Sequence, residues 1–305
     1  MDSLVIKSKS KITNIAYKEK LRSAAELMKL RITSFVALTT MFGFICFTGK
    51  ITFDIILPTI GILLLSSGSG VINHYQERRT DALMKRTRNR PLPSGRVSPI
   101  EALALAVILS VSGSIVLYIG SGMLALGLGL LNLIWYNGIY TPLKKRNPLA
   151  IIPGSLVGAI PPAVGWVAGG GYIFNPQILI ISSFFFIWQI PHFWLLLLVL
   201  DKDYKKAGFP TLTQIFNPDQ LARITFTWIA ATVVTCFMIP LFGKLQSPFI
   251  GYGLFIAGVW LVWNSFKLVR HTTRNNYFMI AFREINIFAI LVVLLLSIDK
   301  LVFIF

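Results

Sequence analysis

The sequence predicts an all-α, polytopic membrane protein of about nine transmembrane helices. Three observations predict it. Of 305 residues, 55% are hydrophobic and only 13% charged, against about a quarter charged in soluble domains. Apolar runs of about 20 residues, the length that crosses a bilayer as a helix, recur along the whole chain. The basic residues lie between those runs and hardly ever inside them.

Taken in order, the spans fall at about 30–48, 53–75, 99–118, 121–140, 149–168, 177–200, 222–242, 247–266 and 285–304. The first 28 residues are polar and basic, so 1–28 forms a cytoplasmic tail and 29–305 a single transmembrane domain. The first run is too long for a signal h-region and ends in Thr48-Gly49-Lys50, which makes it a retained span. Spans two and four end in polar residues at helical spacing, so their helices project beyond the hydrocarbon. Cys46 and Cys236 sit far apart within apolar stretches, which argues against a disulfide framework or a zinc site. The net charge of +17 invites a nucleic-acid reading, but its distribution between spans excludes one.

Charge also sets orientation. With nine spans, 26 of the 29 Lys and Arg residues fall on one side, and only Lys50, Lys244 and Lys300 on the other. The positive-inside rule places the N-terminus in the cytoplasm and the C-terminus outside. Of the 12 acidic residues, six lie in or beside the loops on that cytoplasmic side: Glu77, Asp81, Asp201, Asp203, Asp219 and Glu284.

Span two runs into Asn73-His74-Tyr75-Gln76-Glu77-Arg78-Arg79-Thr80-Asp81. On a continuing helix Asn73, Glu77 and Asp81 share one face, with ~6 Å of rise between neighbours. Two carboxylates and an amide oxygen suit a hard cation, Mg²⁺ (or Mn²⁺), which typically bridges carboxylates to phosphate oxygens. Lys85, Arg86, Arg88 and Arg90 follow closely and offer the forks that take the remaining oxygens of a metal-bound diphosphate. The competing reading makes the arginines plain membrane anchors. It is weaker for the three helical residues, because carboxylates at a membrane boundary are costly unless used.

Span six carries Trp188-Gln189-Ile190-Pro191-His192-Phe193-Trp194 and ends in Asp201-Lys202-Asp203-Tyr204-Lys205-Lys206. Asp201 and Asp203 offer a second carboxylate pair on the same side, able to hold a second ion on the diphosphate. Lys205 lies beside them, and Lys144 and Lys145 follow span four as further candidate cations for the substrate. His192, within an apolar span beside a proline, either bonds a neighbouring helix or contacts an acceptor ring or haem iron. His74 points away from the carboxylate face, and His271, in a basic loop, is given no role. Pro153-Gly154, Gly158-Ala159 and Pro161-Pro162 in span five permit close helix packing.

These residues resemble the UbiA superfamily of intramembrane prenyltransferases, whose first motif is an Asn followed by two Asp at four-residue steps. It stands here as Asn73, Glu77 and Asp81. The run from Asp81 to Arg96 is similar to the haem-farnesylating branch. So are Lys29-Leu-Arg-Ile-Thr33, Tyr140-Thr141 with Gly165-Trp166, Pro191 to Trp194 and Asp203 to Pro210. Three departures stand out: Glu77 replaces an Asp, Leu30 stands where Pro is frequent, and Asp201 and Asp203 are spaced by two where the superfamily generally spaces by four. That spacing makes Asp203 the stronger second-site candidate.

The resemblance implies nine helices around a central cavity open to lipid, with the acidic motifs above it. It implies that farnesyl diphosphate ionises, that its C1 joins a vinyl group of haem b, and that water adds to give haem O. Haem b is then substrate and not cofactor. The expected partners are farnesyl diphosphate, haem b, membrane lipid and a haem A synthase, in a bacterial inner membrane with the site facing the cytoplasm. Two other readings keep parts of this pattern. A quinone-precursor prenyltransferase would share the diphosphate machinery with another acceptor. A secondary transporter would suit the span count, but no inverted repeat supports one.

Overall fold

The computed structural model describes residues 18–270 and 275–302. It is all-helical across the described residues. A short helix, α1 (18–27), precedes α2 (Leu30–Thr48), α3 (Ile56–Leu83) and α4 (Pro99–Ile134), which continues through a π-helical turn, Trp135–Tyr140, into Thr141–Leu143. Then follow α5 (Ile151–Ala168), α6 (Pro176–Val199), the six-residue α7 (Asp201–Lys206), α8 (Pro218–Phe242), α9 (Pro248–Arg270) and α10 (Asn275–Val302).

Eight helical elements among the described residues are long and apolar enough to cross a bilayer. The third of them, Pro99–Leu143, is 45 residues long and as a straight rod would span ~68 Å, more than twice the hydrocarbon thickness. It does not run straight. Gly122 adopts φ 77° and ψ −174°, a conformation open to glycine and costly for other residues. Beyond it the chain doubles back, so that a Cβ on Gly129 would lie 2.8 Å from the Leu117 side chain. Leu117 and Ala125, one on each limb, share a buried cluster with Ile62 and Leu65 of α3. Nine crossings result among the described residues, as the sequence predicts.

The element limits shift where polar residues continue a helix. α3 reaches Leu83 and the last limb of α4 reaches Leu143, both projecting past the apolar run. The final helix starts at Asn275, well before the predicted 285, because Arg283 and Glu284 ride on a helix whose hydropathy rises only after them. Polar caps mark other starts: Ser98 with Glu101, and Asn217 with Gln220, form reciprocal capping boxes.

Packing follows the small residues of span five. A Cβ on Gly165 would sit 1.8 Å from the Thr40 carbonyl oxygen, and one on Gly43 1.9 Å from that of Pro162. α2 and α5 therefore meet backbone to backbone, a contact only small residues permit. The largest core joins α2, α6, α8, α9 and α10 through Phe42, Phe184, Ile229, Leu261 and Phe288. Large apolar side chains such as Ile108, Ile119, Phe255 and Trp263 face outward, where lipid replaces water. At the end remote from the acidic motifs, buried Asp299 accepts from the backbone N–H groups of Gln246 and Ser247, tying α10 to the start of α9.

Candidate active site

The polar end of α3 lies against the polar end of α4. The two run parallel with a nearly constant register. Ser69 Oγ donates to Asn137 Oδ1 at 2.6 Å, Asn73 Nδ2 to Thr141 Oγ1 at 3.1 Å, and Glu77 pairs with Lys144. Gln76 Nε2 donates to the Asn137 carbonyl at 2.9 Å, and Lys145 Nζ to that of Gln76 at 3.0 Å. A π-helical turn over Trp135–Tyr140 carries Asn137, and such turns are frequent at functional sites.

Asn73, Glu77 and Asp81 are 1%, 6% and 1% exposed, so one helix face presents two buried carboxylates and an amide. Three cations surround them. Lys29 Nζ donates to Asn73 Oδ1 at 2.6 Å, Lys144 pairs with Glu77, and Arg90 Nη1 lies 2.8 Å from Asp81 Oδ2. Lys29 stands at the break before α2 in a left-handed conformation, the one non-glycine residue with positive φ (53°) among the described residues. Burial pushes its ammonium down to about 7; Glu77 opposes that shift, and Arg90 and Lys144 add to it. Burial alone would also depress Lys144, but the Glu77 carboxylate and the phenol oxygens of Tyr140, Tyr136 and Tyr204 raise it above the usual lysine range.

Arg90 reaches the site because the loop after α3 folds back. Buried Thr87 donates to the Asp81 carbonyl at 2.9 Å, and Arg96 pins the loop to α1 through Glu26 at 2.9 Å. Lys85, Arg86 and Arg88, on the same loop, are exposed. The structure brings only Arg90 of the four onto a carboxylate.

The second acidic segment joins the first through its C-cap. Gly208 takes φ 77° and ends α7, and the Phe209 N–H bonds back to the Tyr204 carbonyl at 3.0 Å. That turn packs Ala207, Phe209 and Tyr204 on Met84, at the end of α3. Within α7, Asp201 is engaged: Thr213 Oγ1 donates to it at 2.5 Å and Lys205 pairs at 2.9 Å. Burial opposes this, yet the Thr213 and Lys205 hydrogen bonds hold its carboxyl below the usual range. The Asp203 carboxylate has no hydrogen bond or ion pair among the described residues.

From Lys144, which lies over the Tyr140 ring at 5.5 Å, a row of aromatic rings leads inward. Tyr140 lies 6.5 Å from Phe193, Phe193 5.1 Å from His192, His192 4.8 Å from Trp188, and Trp188 6.3 Å from Phe185. His192 Nδ1 is 2.8 Å from Asn286 Oδ1 on α10.

A model of the UbiA prenyltransferase family matches residues 36–286. A protoheme IX farnesyltransferase of Oleidesulfovibrio alaskensis is 32% identical over 92% of this chain and 98% of its own length. The chain belongs to the UbiA prenyltransferase family. It is a multi-pass membrane prenyltransferase. A protoheme IX farnesyltransferase of Geobacter sulfurreducens is 39% identical over 62% of this chain and 69% of its own. Among solved structures, a digeranylgeranylglyceryl phosphate synthase shares the fold with a TM-score of 0.77 at 16% identity, over 92% of this chain and 99% of that one. A UbiA homolog from Archaeoglobus fulgidus, solved bound to GPP and Mg²⁺, gives 0.62 at 14% identity over 90% and 99%.

The donor set fits a divalent ion. Asp81 Oδ1 is buried and has no partner, while its Oδ2 takes Arg90. No three His, Cys, Asp or Glu residues converge among the described residues. Two carboxylates and an amide oxygen on one helix face suit Mg²⁺, which takes one or two carboxylates and fills its octahedron with water and phosphate oxygens. The sequence marks Lys29, Thr141 and Gln76 only as members of motif runs and gives Asn137 no mark, yet all four stand at the site. Asn137, Thr141 and Lys144 at helical spacing in an otherwise apolar span were the available signal.

Proposed function

We propose that this enzyme transfers the farnesyl group of farnesyl diphosphate to a vinyl group of haem b, with addition of water, releasing diphosphate and haem O. The observation that carries the diphosphate half is the buried, unpartnered Asp81 Oδ1 beside Glu77 and Asn73, ringed by Lys29, Arg90 and Lys144. Uncompensated polar atoms at this depth are expensive, and a metal–diphosphate complex satisfies them. The acceptor half rests on the relatives, which are named protoheme IX farnesyltransferases over most of the chain.

In this reading Asn73, Glu77 and Asp81 hold Mg²⁺ or Mn²⁺, and Asp203 contributes from the opposite side, with Asp201 as its engaged neighbour. When bound, the metal neutralises diphosphate charge and so makes it a better leaving group. Lys144, Arg90 and Lys29 draw off charge as the C1–O bond breaks and its electron pair leaves with the diphosphate. The aromatic row from Tyr140 inward shields the allylic cation. The vinyl π-electrons then form the new bond to C1, and water adds to the resulting cation and loses a proton. The haem propionates meet Lys145, Lys205 and their neighbours at the rim, and His192 faces the ring.

The proposal includes orientation: residues 1–28 form a cytoplasmic tail, 29–305 the enzyme, and the site opens to the cytoplasm of a bacterial inner membrane. The product is the substrate class of a haem A synthase, the expected partner. Mass analysis of haem after incubation with purified protein, farnesyl diphosphate and Mg²⁺ tests it. Haem gaining one farnesyl and one water supports the assignment. Unmodified haem alongside prenylated 4-hydroxybenzoate would replace the acceptor and keep the family.

A further inference from the structure

The mechanism above leaves His192 with an unexplained arrangement. Its ring is clamped between Trp188 at 4.8 Å and Phe282 at 5.1 Å, each tilted by about 35° or less. Phe193 meets it edge-on at 5.1 Å. One nitrogen, Nδ1, is 2.8 Å from Asn286 Oδ1. The Asn286 amide is itself oriented, because its Nδ2 donates to the Phe282 carbonyl at 2.5 Å. With Nδ2 spent as a donor, Oδ1 is the acceptor. His192 must then carry its proton on Nδ1 and its lone pair on Nε2. One turn earlier, Trp188 Nε1 donates to the Ile285 carbonyl at 3.1 Å, so α6 and α10 are tied at the ring and one turn before it.

A histidine that only joined two helices would need the bond to Asn286 and nothing else. Here the ring is also fixed in tilt by two aromatic faces, and the bonded nitrogen is the one that sets which lone pair is free. Histidines that ligate a metal characteristically donate their other N–H to an acceptor, which fixes tautomer and orientation and raises ligand basicity. We infer that Asn286 is a positioning residue: it holds the His192 imidazole as the Nδ1–H tautomer so that Nε2 binds the iron of the haem substrate. This rests on the haem-acceptor reading above. Iron held at one point fixes the macrocycle beside the aromatic row and leaves its vinyl edge free to turn toward C1 of the farnesyl group.

The test uses the full-length protein, loaded with ferrous haem b in the absence of farnesyl diphosphate, with resonance Raman detection of the iron–histidine stretch. Wild type should show the band and His192→Ala should lose it. Asn286→Asp, a stronger acceptor, should move the band up. Asn286→Leu should move it down and weaken haem affinity about 10–100-fold. Retained Mg²⁺-dependent binding of farnesyl diphosphate certifies that each variant is folded. A band that survives in His192→Ala, or stays unmoved in both Asn286 variants, overturns the inference. So does wild-type protein that farnesylates haem without showing the band, an outcome that leaves the transferase reading intact. A band that behaves as expected in a protein that never farnesylates haem supports the ligand assignment and removes the transferase reading.

Discussion

The two acidic segments differ in how the fold holds them. Glu77 and Asp81 belong to a long helix and are buried against a parallel neighbour, each with a cation and with Asn73 locked between Lys29 and Thr141. Asp201 and Asp203 ride on a six-residue helix at the rim, partly exposed, one engaged by Thr213 and Lys205 and the other unpaired. The first region is preorganised by helix packing. The second packs against it through the contact of Ala207, Phe209 and Tyr204 with Met84. A built-in site facing an adjustable one suits a substrate that must enter and a diphosphate that must leave.

The sharpest way to break that contrast is at Asp81. Asp81→Asn keeps the shape but removes the charge a metal requires, so turnover should fall by on the order of 10²–10³ while the protein still inserts. Glu77→Asp should keep a measurable share, because the carboxylate survives. Arg90→Ala should raise KM for farnesyl diphosphate and also cost stability, since it leaves a buried carboxylate without its partner, about 3–5 kcal/mol. Diphosphate release with and without chelator checks the set; full activity in Asp81→Asn or in excess chelator would sink the metal–diphosphate mechanism.

The rim comes next, and here the two aspartates should separate. Asp203→Asn should slow turnover at least about tenfold, as loss of a group stabilising the leaving charge. Asp201→Asn should cost less than about fivefold, because partly exposed pairs contribute under ~1 kcal/mol. Equal losses would mean that the two act as one pair. The buttress behind the first region is tested by Thr141→Val. It strips the acceptor from buried Asn73 Nδ2, and an orphaned polar group of this kind costs about 1–3 kcal/mol, read as a lower melting temperature in detergent.

Much of this was legible in the chain. Hydropathy and the Lys/Arg asymmetry define the spans, because lipid imposes a strong and local constraint on every residue it touches. The spacing of Asn73, Glu77 and Asp81 needs only the helix period. What sequence leaves open is which cation meets which carboxylate. Lys29 and Lys144 arrive from other helices, and Arg90 is singled out from its loop only by how that loop folds back on Thr87 and Arg96. The hairpin at Gly122 was legible as two apolar runs, although the glycine that makes it carried no signal of its own. Asn286 carried no signal of its own, because its meaning lies in a partner 94 residues away.

The smallest expected effects concern the three cations that sequence grouped with Arg90. Lys85, Arg86 and Arg88 follow Asp81 closely, and spacing alone gives them equal claim to the diphosphate. The structure points them to the surface. Exposed side chains of this kind usually change stability by less than about 0.5 kcal/mol when replaced. Single alanine substitutions should therefore leave kcat unchanged and shift KM by no more than about twofold. We propose that they contribute long-range attraction for a polyanion and for anionic headgroups, which salt screens over ~8–10 Å. The triple variant should lower kcat/KM for farnesyl diphosphate at low ionic strength and converge with wild type as salt is added. Arg90→Ala should not converge, because its contact with Asp81 is short and shielded. A salt-independent loss in any of the three single variants would place that residue on the diphosphate itself and erase the distinction between Arg90 and its neighbours.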